Sequence, residues 1–313
     1  NGSKVSYDKL LLANGSANTI PPIDGIGKDG VYTLRGLNDA LNIKERLEKS
    51  EKVVIIGGGI QGLEIAWILH QHGKKVTIVE LLSRVMYNQI DDEASKILRN
   101  TIESYGIKVL TDKAVKKIVG GESIEKIVID ENTELNCDIA IYSTGIKPNI
   151  DLVANTRIET AKGILVNNKM ETNIKNIYAA GDIAEFNHRV PGLWNIAIAQ
   201  GKAAGYNICG KETLYENITP VTTLNAFGIS LFSMGRIEQT QFTKMLINQG
   251  SGADDYKKIF VSDNKIVGAI VIGDTKKSPL LKSAIEQEVT FSDAELAERS
   301  ADELLEQLKK SYK

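Results

Sequence analysis

Three glycines, Gly57-x-Gly59-x-x-Gly62, directly follow the β-branched run Lys52 to Ile56 and directly precede the apolar-periodic segment Leu63 to His72. In that context the first glycine permits a tight turn, the second lets backbone approach a pyrophosphate, and the third lets helix and strand pack closely. The N-terminus of the helix that follows supplies an anion site. Glu80 ends the next alternating run, Lys75 to Glu80, roughly 20 residues beyond the glycines, where a carboxylate accepts hydrogen bonds from adenosine ribose hydroxyls. It would also repel a 2′-phosphate, so the pattern points to NADH with NADPH disfavoured. Arg84, four residues on, weakens that preference where it points inward. The plain alternative is a strand-to-helix turn that holds no nucleotide.

The stretches Gly-Gly-Gly-Ile-Gln-Gly-Leu-Glu at 57–64, Tyr-Ser-Thr-Gly-Ile-Lys-Pro-Asn at 142–149 and Thr-Asn-Ile-Lys-Asn-Ile-Tyr-Ala-Ala-Gly-Asp at 172–182 resemble, in order and spacing, the pyridine nucleotide-disulfide oxidoreductase flavoproteins. The chain most resembles the branch without a redox disulfide: NADH:rubredoxin reductases and the flavin portion of NAD(P)H-dependent nitrite reductases. Tyr7 to Ser16 is similar to the segment closing the first half of the FAD domain, with Asn14 where Thr is usual. The resemblance spans roughly residues 5 to 275.

It implies site residues one by one. Asp182 falls where the family hydrogen-bonds the flavin ribityl chain, with Gly181 allowing close approach; the bland alternative is a helix-capping Asp. Glu64 matches a carboxylate beneath the nicotinamide and flavin, against the alternative of an exposed first-turn Glu. Ile60 stands where relatives often place a gating aromatic, so the pocket is expected to be less gated. Ala13, Gly15, Thr144 and Gly145 join the implied cofactor-binding positions. The helix from Trp194 is expected to aim its N-terminus at the flavin pyrimidine edge, with Ile196 and Ala197 donating backbone N–H groups. Trp194 lines the flavin face, meets a partner, or simply packs.

The activity so implied is an FAD-dependent NADH:acceptor oxidoreductase, passing hydride from NADH to flavin and electrons onward to a small acceptor such as rubredoxin. Alternatives are the flavin part of a nitrite reductase, an NADH oxidase, or an NADH-binding fragment without flavin. The chain departs from the family in carrying one dinucleotide fingerprint; the N-terminal FAD-binding βαβ unit, with its own glycines and ribose carboxylate, is missing. It therefore looks N-terminally truncated, and poor FAD retention is expected.

The elements that must position these groups read as α/β: two Rossmann-like three-layer dinucleotide-binding domains, the FAD domain split and incomplete with the NAD domain inserted, plus a small C-terminal α+β domain. The expected boundaries are 1–35 with 144–213, then 36–143, then 214–313. A helix is expected from Asp91 to about Tyr105, strands over Lys108 to Val119, Ser123 to Asp130 and Asp138 to Tyr142, and a helix from Trp194 to Ile208 closed by Gly210. Strands follow at Ile229 to Phe232, Lys257 to Ser262 and Ile266 to Ile272. Ser292 to Lys310 reads as a charged amphipathic helix with Ser292 and Glu295 as a capping pair.

With 313 residues, 42% hydrophobic and 25% charged, the composition is that of an ordinary globular chain of about two domains. The net charge of −2, from 38 basic and 40 acidic side chains, offers no field for nucleic acid. No apolar run reaches the length of a spanning helix. Cys137 and Cys209 stand alone and are expected to be buried thiols; His70, His72 and His188 make no ligand set, so no metal is expected. A cytoplasmic monomer or homodimer is the resulting expectation.

Overall fold

The computed structural model describes residues 2–237, 242–249, 255–297 and 299–311. The chain divides into two compact units, one formed by residues 1–19 and 145–220, the other by 20–144 and 221–313.

The larger unit is built on a five-stranded parallel sheet in the order Val31–Thr33, Ile139–Tyr142, Lys52–Ile56, Lys75–Val79, Lys108–Leu110. Val53 to Ile56 and Ile139–Tyr142, next to each other in the sheet, are continuous apolar runs because both faces are covered there. Val53, Ile55, Ile78, Val109, Ile139 and Ile141 face one core, shared with the helices Ile60–Gln71 and Asp92–Ser104. Val54, Ile56, Val79, Ala140 and Tyr142 face another, closed by the antiparallel meander Lys117–Val119, Lys126–Asp130, Thr133–Asn136. Helices on one side and the meander on the other make three layers.

The single strand expected over Lys108 to Val119 is two, Lys108–Leu110 in the parallel sheet and Lys117–Val119 in the meander. Asp112 between them has φ of +54°, a left-handed turn that lets the chain change sheets. Residues 20–35, read from sequence with the FAD segments, fall in the larger unit, because Val31–Thr33 pairs with Ile139–Tyr142.

A five-stranded antiparallel sheet completes this unit, in the order Val221–Ala226, Ile229–Gly235, Lys265–Ile272, Tyr256–Ser262, Lys244–Gln249. Its period-two alternation splits it between two cores. Leu231, Phe260, Ile270 and Ile272 pack with Leu63 and Leu98 of the helices that cover the parallel sheet, while Phe232, Ile259, Val261, Ala269 and Val271 pack under the helices Ser278–Glu286 and Ala301–Ser311. The shared core explains why residues separated in the sequence reading at 214 form one compact unit.

The expected C-terminal helix is interrupted. The Ser292–Glu295 capping box forms, but its helix ends at Leu296 and Ala297 turns extended. A second box restarts the helix: Glu303 accepts the Ser300 N–H at 2.7 Å and the Ser300 hydroxyl takes the Glu303 N–H. Glu298 lies outside the described residues.

The smaller unit holds three two-stranded sheets: Leu10–Leu12 parallel to Ile177–Ala179, Ser16–Asn18 antiparallel to Ile146–Pro148, and Ile164–Leu165 parallel to Ala184–Glu185. The helix Trp194–Ile208, with the bounds expected from sequence, packs Ile196, Ala203 and Ala204 against Met170, Tyr178 and Ala180.

Candidate functional site

In the larger unit the glycine turn is clamped from both sides. Gly57 donates its N–H to the Val79 carbonyl at 2.8 Å, and the Gly58 carbonyl accepts the Met86 N–H at 2.9 Å. Gly57 sits at φ +115°, and a Cβ there would meet the Ser143 carbonyl oxygen at 2.2 Å, so no other residue fits. At Gly62 a Cβ would strike the Gly57 carbonyl oxygen at 2.1 Å, whereas around Gly59 no protein atom lies within 4 Å of that point. The first and third glycines are thus required by the fold itself. Gly59 instead leaves open a space that a side chain would fill, at the N-cap of the helix Ile60–Gln71, which has no side-chain cap. An open backbone approach at an uncapped helix start fits a pyrophosphate.

Glu80 turns back onto this turn. Its Oε2 accepts the Gly58 N–H at 2.6 Å and its Oε1 the Leu82 N–H at 2.7 Å. It is half-buried, leaving lone pairs for ribose hydroxyls. Arg84 does not join Glu80 in this arrangement. Its guanidinium pairs with Asp92 at 2.7 Å, stacks over the Tyr87 ring at 4.1 Å and donates to the Tyr87 carbonyl at 3.0 Å. Ile60 is half-buried against the main core, and Glu64 is exposed one turn further along the helix.

Sequence reasoning overlooked Gln61, in a variable slot of the glycine motif. Its Nε2 donates to the Leu34 carbonyl at 3.1 Å and its Oε1 accepts the Ser143 hydroxyl at 3.2 Å, so it bridges the loops beyond two neighbouring strands. Tyr142, next to Ser143, is sealed in the core with no partner for its hydroxyl among the described residues. Burial pushes its phenol up to about 12. Thr144 is exposed.

In the smaller unit, Asp182 accepts the hydroxyl of the buried Ser16 at 2.7 Å. It lies within the short 3-10 helix Gly181–Ile183, whose N-cap position is Ala180. Ala13 is exposed. Gly15, at φ +65°, accepts the Asn149 N–H at 3.0 Å, and Gly145, at φ +95°, accepts the Thr19 N–H at 2.9 Å. Asn14 and Asn149 each donate a side-chain amide to the other's carbonyl, at 2.9 and 2.8 Å, which gives the departure from Thr at position 14 a structural use. An ionised carboxylate accepts hydrogen bonds of the kind that the hydroxyls of a polyol such as ribityl donate.

One expected donor is corrected. Ala197 gives its N–H to the Leu193 carbonyl at 3.0 Å, the first bond of its own helix, so it has none to offer a flavin. Only residues ahead of it in the first turn, Ile196 included, precede that bond. Ile196 is buried, and Trp194 is 83% exposed, which removes packing as its role in this chain. Cys209, expected to be buried, is exposed because it caps the end of the helix Trp194–Ile208; Cys137 is buried. Among the described residues there is no cluster of His, Cys, Asp and Glu able to hold a metal, and no helix long and apolar enough to cross a membrane.

Residues 1–201 match the family model for pyridine nucleotide-disulphide oxidoreductases, and residues 220–289 match that for the C-terminal domain of rubredoxin NAD+ reductase. The chain belongs to the pyridine nucleotide-disulphide oxidoreductase family. It is 36% identical over 293 residues to the NADH-rubredoxin oxidoreductase of Clostridium acetobutylicum, covering 93% of this chain and 73% of that protein. It is 34% identical over 288 residues to the nitrite reductase [NAD(P)H] of Bacillus subtilis, covering 92% of this chain but 36% of that protein. The crystal structure of NADH:rubredoxin oxidoreductase from Clostridium acetobutylicum superposes with a TM-score of 0.76 at 33% identity, over 98% of this chain and 75% of that one.

Proposed function

We propose that the chain belongs to an FAD-dependent NADH:acceptor oxidoreductase whose electrons go to a small carrier protein such as rubredoxin. The observation that carries the reading is the Gly57–Gly62 turn, open at Gly59 and tied to Glu80 through the Gly58 N–H. Its support at chain scale is the similarity to a rubredoxin reductase across nearly all of this sequence, including a C-terminal domain of that type. Gly57, Gly59 and Gly62 shape the dinucleotide turn, Glu80 orients the adenosine ribose, and Ile60 and Glu64 stand on the first turns of the helix that begins there. FAD, when bound, supplies a group that accepts two electrons from NADH and releases them singly. On this reading Asp182 holds the ribityl hydroxyls, assisted by the Gly15 and Gly181 turns, with Ala13, Thr144 and Gly145 beside the cofactor and Ile196 offering a backbone N–H.

NADH is the preferred nucleotide, because a carboxylate at Glu80 repels a 2′-phosphate and Arg84 is engaged by Asp92. The proposed setting is cytoplasmic, the assembly a monomer or homodimer, and the domain division that of the sequence reading with residues 20–35 moved to the NAD(H)-binding part. Delivery of electrons toward nitrite is the second reading, favoured by the similarity to the nitrite reductase; the sirohaem chemistry would lie on another module.

An ultraviolet–visible spectrum of the purified chain supplied with FAD, followed by anaerobic NADH, tests the reading. Flavin bands that bleach with NADH and return on adding oxidised rubredoxin are expected. NADH binding without any flavin uptake would reduce the chain to a nucleotide-binding fragment, and recovery only with a nitrite-reducing partner would favour the second reading.

A further inference from the structure

The Gly181–Asp182 turn is held in place from the neighbouring helix. Gly181, at φ +82°, donates its N–H to Oε1 of Gln200 at 2.9 Å. Gln200 lies in the second turn of the helix Trp194–Ile208 and is 1% exposed. Tyr215 lies beside it: burial pushes its phenol up, and the neighbouring Ile218 backbone and Gln200 side chain act in the opposite direction. Tyr215 is anchored in turn: its N–H donates to the Asn168 carbonyl at 2.7 Å and its ring meets Phe186 edge-on at 5.2 Å. The surrounding cluster is otherwise apolar, with Ile196, Ala203, Ala204, Met170 and Ala180.

A leucine would fill the place of Gln200 in such a cluster without the cost of burying an amide. What leucine cannot do is accept the Gly181 N–H, which the left-handed turn directs at the helix and which needs a partner once buried. Ser16 holds the Asp182 carboxylate, so Gln200 fixes the backbone of the turn and Ser16 its side chain.

We propose that Gln200, backed by Tyr215, is a positioning residue that sets the orientation of Asp182 and with it the affinity of the chain for the flavin ribityl group; this rests on the reading of Asp182 given above. The test is an FAD titration of the full chain, followed by flavin fluorescence, with a thermal melt of each unliganded protein. Gln200→Leu is expected to weaken FAD binding about 10-fold, and the isosteric Tyr215→Phe about 3-fold, as loss of one or two buried hydrogen bonds dictates. Gln200→Glu, titrated near pH ~5 where burial keeps its carboxyl neutral, keeps an acceptor for Gly181 and an O–H beside the Tyr215 hydroxyl, so it is expected to recover most of the affinity. Asp182→Ala serves as the reference.

Weakened binding in Asp182→Ala with unchanged binding in Gln200→Leu and Tyr215→Phe overturns the proposal and leaves the reading of Asp182 standing. Loss of affinity that Gln200→Glu fails to recover, in step with a fall in unliganded stability, marks a purely structural role and also overturns it. If Gln200→Leu does not fold, Tyr215→Phe with Gln200→Glu decides alone. No FAD uptake by the unaltered chain, or none lost in Asp182→Ala, removes the reading and this inference together.

Discussion

Glu80 and Gly58, 22 residues apart, are joined by a 2.6 Å hydrogen bond in which the glycine N–H donates to the carboxylate. The acidic residue that the nucleotide pattern assigns to ribose recognition is therefore also a brace for the glycine turn, and its second oxygen braces the chain at Leu82. One side chain links the end of the strand Lys75–Val79 to the start of the helix Ile60–Gln71. The two bonds tie the glycine turn to the end of that strand.

Replacing Glu80 with Ala removes both roles. Charged hydrogen bonds of this kind are worth roughly 1.5–3 kcal/mol, so NADH affinity is expected to fall about 10-fold or more, and the NADPH to NADH preference to rise. Fluorescence titrations with both nucleotides check this; an unchanged ratio would show that Glu80 does not meet the ribose.

Gly57 and Gly59 separate fold from binding. Gly57→Ala forces a Cβ into the Ser143 carbonyl at φ +115° and is expected to cost at least about 2 kcal/mol of stability. Gly59→Ala meets no protein atom and is expected to melt close to the unaltered protein while binding NADH poorly. A Gly59→Ala protein with full NADH affinity would show that the open space is not the nucleotide's.

A buried triad joins the antiparallel sheet to the helix Asp92–Ser104. Lys258 pairs with Asp91 at 2.8 Å, the two side chains only 7% and 2% exposed, and the Tyr256 hydroxyl donates to the same oxygen at 2.8 Å. The other oxygen caps the helix through the Ala94 N–H at 3.0 Å. Lys258→Met strands a buried carboxylate, and about 3–5 kcal/mol should be lost in urea unfolding. Adding Asp91→Asn should recover part of it; a double variant as unstable as the sum of the singles would mean the two groups do not interact.

Two phenols predict the alkaline limit. Burial holds Tyr142 up to about 12, and burial together with Asp91 holds Tyr256 well above its ordinary value. The unfolded chain releases these protons from about pH 10, where the native state still keeps them. Stability contributed by both is therefore present below pH ~10 and falls as the pH rises toward the native values. Tyr142→Phe should flatten that fall and, by removing a hydroxyl without a partner, raise stability at neutral pH by about 1 kcal/mol. Urea midpoints measured from pH 7 to 11 check both.

The two thiols should behave differently toward iodoacetamide at pH 8. Cys209 is exposed; Cys137 is buried, with its thiol pushed up to about 12 by burial and by Asp138. Peptide mass spectrometry is expected to show alkylation at Cys209 in the native protein, and at Cys137 only after unfolding.

The local sequence carried the strand, glycine turn and helix at Lys52–Gln71, because a glycine forced by a positive φ and a period that switches from strand to helix both leave marks within a few residues. The bounds of the helix Trp194–Ile208 were legible for the same reason. The break near Ala297 was readable in principle, since Ser300 and Glu303 repeat the capping spacing of Ser292 and Glu295. Arg84 was not: whether a long cation faces Glu80 or Asp92 depends on the helix that supplies Asp92. Ala197 lost its expected donor because helix hydrogen bonding starts at Leu193, a matter of one residue that periodicity does not resolve.

The sequence by itself determined the glycine turn, the carboxylate that follows it, the family and the α/β alternation, because each is written in residue types and spacings within short stretches of the chain. Only the tertiary structure decided that Gln200 holds Gly181, that Ser16 holds Asp182, that Asn149 clasps Asn14, and that the C-terminal sheet shares a core with the helices Ile60–Gln71 and Asp92–Ser104. Those pairings join residues brought together by chain reversals, and a hydrogen bond across such a distance depends on the packing of every element between its ends.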